Sequence, residues 1–374
     1  MAVVLIGLAY YPCRSASDKN FMRDVALTAS RDHGLDIILV SIAENTGWAP
    51  PAGEQDTFAD VYLVPRPFHS VRNDPSATLV HQRHGRLREY GERSIAAIGL
   101  IPLLRRLRDT QGARYVHFFD NLGPGTAWPA RSLGLRCGMT ILGSNSSKRR
   151  GLRRAFWRAS MAGVNDVVAG SWPLRDELVG DGVVVRDVIP WGPSESLTPR
   201  GRAYAERKTV VWTGPLGSSG PSEARLAARA MALARRRLPE MRPLLWPKPE
   251  YAHDYAAIAR ESGVEVETPG PDFLKMLGET RILVSPVADE TLLVRPDLTW
   301  LEAARLGATV VTTPCRGIDD GLIRSGSVLV APEPSEAALA DAIVAAWGRS
   351  GPDLASVWTA EAAAGRYVRL WKDA

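Results

Sequence analysis

Among the residues whose types and spacing could do chemistry, Glu302 stands out. It lies in Thr299-Trp300-Leu301-Glu302-Ala303-Ala304-Arg305-Leu306-Gly307, a stretch of helical period that follows Ser285-Pro286-Val287-Ala288-Asp289-Glu290. A carboxylate at a helix start is favoured by the N-terminal dipole and accepts two hydroxyl hydrogen bonds, which suits a diol. The plainer role of such a residue is to stabilise the first turn. Arg295, in the loop before that helix, offers a guanidinium that could clamp a diphosphate in bidentate fashion, or simply lie in water. Thr213-Gly214-Pro215-Leu216-Gly217-Ser218-Ser219-Gly220 sets Gly and Ser before a helix, where backbone N–H groups bind phosphate without side-chain charge. Most stretches of that kind are only turns. His117 precedes Phe118, Phe119, Asp120 and Asn121. A lone histidine beside aromatics is more often a satisfied core group than a proton carrier.

These residues need elements to position them. Short apolar, β-rich runs at residues 3–8, 36–41, 60–64, 114–118, 139–142, 166–169 and 183–189 predict strands, with helices at 18–32 and 87–108. Strands that are apolar throughout, with helices between them, imply a parallel sheet covered on both faces. The pattern stops around residues 191–208, a polar stretch broken by Gly and Pro that reads as a linker. It then restarts, with strands predicted at 209–213, 243–246, 264–267, 282–285, 309–312 and 327–330. Helices are expected at 222–237, 253–262, 298–306, 335–347 and 360–371. The fold class is therefore α/β, with two doubly wound Rossmann-like domains, 1–192 and 206–350, facing each other across a cleft. Ligands of such sheets bind beyond the carboxyl ends of the strands, which puts the expected site between the halves.

Composition agrees with this. The chain of 374 residues, at about 150 per domain, suggests two domains. A hydrophobic fraction of 45% and a charged fraction of 23% exclude fibrous, collagen-like and largely disordered classes. The net charge of +5 makes an anionic partner reasonable. Cys13, Cys137 and Cys315 are far apart, so neither a disulfide framework nor a zinc site is expected, and a reducing cytoplasm is the natural setting. The apolar start lacks a basic leader, and residues 95–104 are too short to span a bilayer, so no signal peptide or transmembrane helix is expected. Lys148, Arg149, Arg150, Arg153, Arg154 and Arg158 form an acid-free basic tract, and Arg72, His81, Arg83, His84, Arg86 and Arg88 a looser one. Either could hold nucleic acid phosphate or an anionic membrane surface, or form a solvated face.

The acidic loop followed by Leu301-Glu302-Ala303 and Gly307 resembles the nucleotide-sugar-dependent glycosyltransferases of the two-Rossmann, GT-B type, the large retaining family 4-like group. Tyr115-Val116-His117-Phe118-Phe119 is similar to that family's strand ending in His. Val167-Val168-Ala169-Gly170-Ser171 and Val188-Ile189-Pro190-Trp191-Gly192 look like its last amino-domain strand and its interdomain crossing. The resemblance covers nearly the whole chain. It implies a sugar transferred with retention from a nucleoside diphosphate donor, without metal or other cofactor, the donor's phosphate acting as base. It implies that the carboxyl domain holds the nucleotide, with Glu302 on the ribose, and the amino domain the acceptor; Gly214, Gly217, Ser218, Lys248, Arg295 and Thr299 are the further candidates on the donor side. His117, Asp120 and Glu290 would serve the reacting sugar, and residues 351–374 would return as a terminal helix to the amino domain.

Three departures qualify the resemblance. The family's first acidic position is Val294 here, with Asp289 and Glu290 as the nearest substitutes. The loop after the first carboxyl-domain strand lacks the usual Arg and Lys, so Lys248, Arg295 or Arg316 would have to supply that charge. Tyr11-Pro12-Cys13-Arg14-Ser15-Ala16-Ser17-Asp18 replaces a Gly-Gly loop. A DNA-modifying glycosyltransferase and a non-catalytic sugar-nucleotide or nucleic-acid binding protein are the alternatives.

Overall fold

The structure, a computed structural model, describes residues 2–8, 17–43, 57–65, 95, 98–119, 126–142, 152–199, 202–213, 220–247, 252–267, 273–287, 296–353 and 358–373. The chain forms two compact units, one of residues 1–191 with 359–374 and the other of residues 192–358.

The first unit carries strands β1 (Ala2–Leu8), β2 (Asp36–Ala43), β3 (Asp60–Pro65), β4 (Tyr115–Phe119), β5 (Arg136–Ile141), β6 (Asp166–Ala169) and β7 (Val185–Val188). They pair in parallel in the order β3-β2-β1-β4-β5-β6-β7. Its helices are α1 (Ser17–Arg31), α2 (Ile101–Gln111), α3 (Trp128–Ser132), α4 (Leu152–Met161) and α5 (Trp172–Gly180). β4 is buried along its whole length, as a central parallel strand must be. The helix expected at 87–108 is described as helix only from Ile101 onward, apart from isolated residues before it. Pro102 in the first turn loses no hydrogen bond there, and Gly112 at φ +65° ends the helix. α3 begins at Trp128-Pro129 and has only five residues, too few for a periodic signal.

The second unit has β8 (Thr209–Trp212), β9 (Arg242–Leu245), β10 (Glu265–Val266), β11 (Thr280–Val284), β12 (Thr309–Thr312) and β13 (Val328–Val330). The order β10-β9-β8-β11-β12-β13 is again parallel throughout. Helices α6 (Gly220–Arg237), α7 (Ala252–Ser262), α8 (Phe273–Glu279), α9 (Leu298–Arg305), α10 (Asp320–Arg324) and α11 (Glu336–Trp347) accompany it. α6 and α11 pack on each other through small side chains, Ala227, Ala230, Ala234, Ala342 and Ala346, around Trp212 and Met231. In each sheet the strand order reverses beside the unit's first strand, between β1 and β4 and between β8 and β11. Those reversals open the crevices where such sheets take ligands.

The terminal helix α12 (Ala360–Lys372) belongs to the first unit and packs on α1. Tyr367, Leu370 and Trp371 are buried. Thr359 caps its start by accepting from Ala362 N–H, and Arg366 pairs with Asp187 at 2.5 Å. Residues 192–208, within the stretch read from the sequence as a linker, and residues 351–358 of the terminal segment cluster with the second unit.

Candidate functional site

In the second unit the chain leaves β11 through Ser285-Pro286-Val287 and is stitched to the end of β12. Thr312 Oγ1 donates to the Ser285 carbonyl at 2.7 Å. The Thr313 hydroxyl donates to the Val287 carbonyl at 3.0 Å and accepts from Val287 N–H at 2.8 Å. The acidic loop therefore departs from a fixed base at the carboxyl end of the sheet. It returns at Asp297, whose carboxylate caps α9 by accepting from Thr299 N–H at 2.8 Å.

Glu302 is the fifth residue of α9 and is 5% exposed. This corrects the expected geometry: Asp297 serves the helix start, and Glu302 sits in the second turn, where a first-turn stabilising role is ruled out. A buried carboxylate must be satisfied by hydrogen bonding. α9 is otherwise buried through Leu298, Trp300, Leu301, Ala303 and Ala304, so the position of Glu302 is set by core packing rather than by a mobile loop. Thr299, one turn earlier, lies in the capped first turn. Thr312, Thr313 and Asp297 were not singled out from sequence. The Asp one residue before an apolar helical run was the available signal for the cap.

The remaining donor-side candidates, Gly214, Gly217, Ser218, Lys248, Glu290 and Arg295, lie outside the described residues, as does Asp120. In sequence, the segments that carry the donor-side candidates follow β8, β9 and β11.

His117 is corrected outright. It is the third residue of β4, not its end, and is wholly buried. Its face of the sheet, shared with Tyr115 and Phe119, is covered by α12. The ring centroids of Phe119, Tyr367 and Trp371 lie 5.1, 5.4 and 5.8 Å away. Trp371 Nε1–H donates to Nδ1 at 3.3 Å, which requires that nitrogen to be bare. Nε2 then carries the hydrogen and donates to Thr140 Oγ1 at 2.8 Å, and Thr140 bonds the Tyr367 hydroxyl at 2.9 Å. Burial pushes the imidazole down to about 3, so it is neutral. A histidine with both nitrogens engaged and no exposed atom presents nothing to a sugar. Gly138 on β5 leaves the space, since a Cβ there would fall 2.5 Å from His117 Nδ1.

The base of the same sheet holds a second buried network. Asp166, 1% exposed, accepts from Arg136 at 2.9 and 3.0 Å and from the Tyr115 hydroxyl at 3.2 Å. Burial and that carboxylate push the phenol pKa up. Arg136 also donates to the Asp373 carbonyl at 3.3 Å, tying down the end of α12.

Of the basic tract, Arg154 pairs with Asp181 at 3.3 Å and Arg158 donates to the Asp181 carbonyl at 3.4 Å, so α4 turns these cations onto the end of α5. Trp157 is buried. Lys148, Arg149 and Arg150, and the tract from Arg72 to Arg88, lie outside the described residues. Among the described residues no group of three or more His, Cys, Asp or Glu side chains could hold a metal ion, and no helix is long and apolar enough to cross a membrane.

No family model matches the sequence, and no curated protein sequence does. Solved structures do match over the full length. Sucrose-phosphate synthase from Thermosynechococcus elongatus superposes with a TM-score of 0.70 at 14% identity, covering 100% of this chain and 99% of that one. A glycosyltransferase from Rickettsia africae gives 0.68 at 12%, covering 100% and 98%. The Anabaena protein HepE, in complex with UDP and glucose, gives 0.61 at 12%, covering 99% and 95%. The chain thus has the GT-B fold of these proteins, two Rossmann-like α/β units in one chain.

Proposed function

We propose that this protein is a glycosyltransferase that moves a sugar from a nucleoside diphosphate donor to an acceptor. The observation that carries the reading is the full-length likeness to solved proteins that include a glycosyltransferase and one holding UDP and glucose. The arrangement in the second unit supports it. An acidic loop on a fixed base leads into a capped helix bearing the buried Glu302, at the end of the sheet where nucleotides bind. In this reading Glu302 accepts hydrogen bonds from the ribose hydroxyls. The segment from Gly214 to Ser218 offers backbone N–H groups to the diphosphate, and Arg295 or Lys248 supplies the charge.

The proposal extends to retention. The C1–O bond to the diphosphate breaks as the acceptor oxygen bonds C1 on the same face, and the acceptor's proton passes to the departing phosphate oxygen. With His117 sealed in the core, the side-chain candidates for assisting that proton are Asp120 and Glu290.

The test is a thermal-shift screen of nucleoside diphosphate sugars, followed by release of nucleoside diphosphate from the best stabiliser and assignment of the product anomer by NMR. Stabilisation by one class of nucleotide sugar together with its turnover is expected. The absence of both from the whole panel overturns the reading, and binding without turnover makes the protein a sugar-nucleotide binder.

A further inference from the structure

The chain passes into the second unit at Gly192 and leaves it at Trp358. We propose that Arg281 is a positioning residue that fastens the segment following the first of these crossings and the segment leading to the second to the same point of that unit. Arg281 is the second residue of β11 and is buried. One terminal nitrogen donates to the Ala205 carbonyl at 3.0 Å, on the segment between the incoming crossing and β8, and the other donates to the carbonyl of Trp347, the last residue of α11 before the segment that leads out. Its guanidinium carbon lies 4.0 Å from the Trp347 ring centroid and 5.0 Å from that of Tyr204. The cation therefore has two carbonyls and two aromatic faces as partners and no carboxylate among the described residues.

Other contacts converge on the same place. Tyr204 donates its hydroxyl to the Ala346 carbonyl at 3.0 Å across 142 residues and bonds Thr309 Oγ1 at 3.0 Å. Gly351, at φ +99°, brings the segment that leads out against the Tyr204 ring so closely that a Cβ would lie 3.1 Å from Cγ. Arg207, 3% exposed, donates to the carbonyls of Arg202, Thr280 and Leu306 at 3.1, 3.1 and 2.8 Å. Burial lowers its pKa.

A planar guanidinium is the group this geometry asks for. It directs two donors to two carbonyls while its faces stack, and a cation at a helix end complements the orphan carbonyls there. A lysine in its place would offer one charged point and no plane. With residues 202–208 and 346–351 both fastened, any movement of one unit against the other is taken up outside them. In an enzyme that closes around its donor, that fixes the pivots.

The test compares the full-length protein with Arg281→Lys and Arg281→Met by hydrogen exchange. Peptides covering 202–208 and 346–353 should speed up together by roughly ten-fold in both variants, with β8 and β12 unchanged in the Lys variant. Unchanged exchange, or loosening of only one segment, overturns the proposal. Unfolding of the Met variant leaves the decision to the Lys variant. The kinetic arm rests on the glycosyltransferase reading: the Lys variant should lose about ten-fold in kcat with UDP affinity kept within about two-fold. An unchanged kcat removes the positioning role. A wild type that turns over no nucleotide sugar sinks the functional reading while the exchange result still judges the fastening.

Discussion

The indole N–H of Trp371 reaches Nδ1 of His117 across 254 residues of sequence, at 3.3 Å, and so joins the terminal helix to the central strand of the amino-terminal sheet. Both side chains are fully buried. Trp371→Ala should cost about 3–5 kcal/mol through the lost packing and the cavity. Trp371→Phe keeps a ring but strands a buried imidazole nitrogen, at about 1–3 kcal/mol. Urea unfolding of the first unit, followed by near-ultraviolet dichroism, should show lower midpoints with the slope retained. A Phe variant as stable as wild type would mean the hydrogen bond carries nothing.

His117 also sets an acid limit. Its folded pKa lies at about 3, below the unfolded value near 6.5, because burial disfavours the cation. As pH falls below 6.5 the unfolded chain takes up a proton that the folded one refuses. Stability is then lost at up to about 1.4 kcal/mol per pH unit until pH 3. His117→Gln cannot titrate, so the difference in stability between wild type and variant should narrow by that slope between pH 6.5 and 4.5. Parallel curves would show that the histidine is not neutral and buried in solution.

Trp371 and His117 mark where the sequence is legible and where it is not. Apolar runs on both faces announce parallel strands, and the spacing of Tyr367, Leu370 and Trp371 announces an apolar helix face, because burial writes itself as periodicity. The resemblance makes His117 a site residue although its aromatic neighbours Phe118 and Phe119 favour a core group, and the core is where it lies. The strand's alternation places His117 between Tyr115 and Phe119 on one face, but the helix that covers it comes from the far end of the chain. The motif singles out Glu302 in the sequence, yet its place in the second turn depends on Asp297 taking the cap. Arg207 and Arg281 look like ordinary cations in sequence. Nothing local tells that they are buried against carbonyls supplied by distant elements.

Asp24 offers the opposite pH dependence. It lies on α1, 19% exposed, with Arg23 at 3.8 Å. Burial raises it to about 6, Arg23 pulls it down and Glu361 on α12 pushes it up. Above pH 3.8 the unfolded carboxyl ionises while the folded one resists, so stability falls as pH rises to about 6 and is flat beyond. Asp24→Asn should therefore stabilise the protein at pH 7 by up to about 3 kcal/mol and leave it unchanged at pH 3.5. A gain equal at both values would point to a helix-propensity effect instead.

Glu302→Gln is the sharpest test of the donor site. Alanine would leave a hole at this buried helix position, and a loss of binding would then be confounded with a loss of packing. Glutamine keeps the volume and one acceptor oxygen but removes the charge and supplies donors where the ribose hydroxyls need acceptors. Exchanging a hydrogen bond to a charged acceptor for a neutral one costs about 1.5–3 kcal/mol, or roughly ten- to a hundred-fold in Kd for the nucleoside diphosphate. The thermal midpoint without ligand should move little, and the ligand-induced shift should shrink, since that shift follows the affinity directly. Nucleoside monophosphate should lose as much as diphosphate, because the ribose is common to both. If diphosphate binding alone weakened, Glu302 would act through the phosphate segment, and if neither weakened, it would be a core carboxylate with no part in the site.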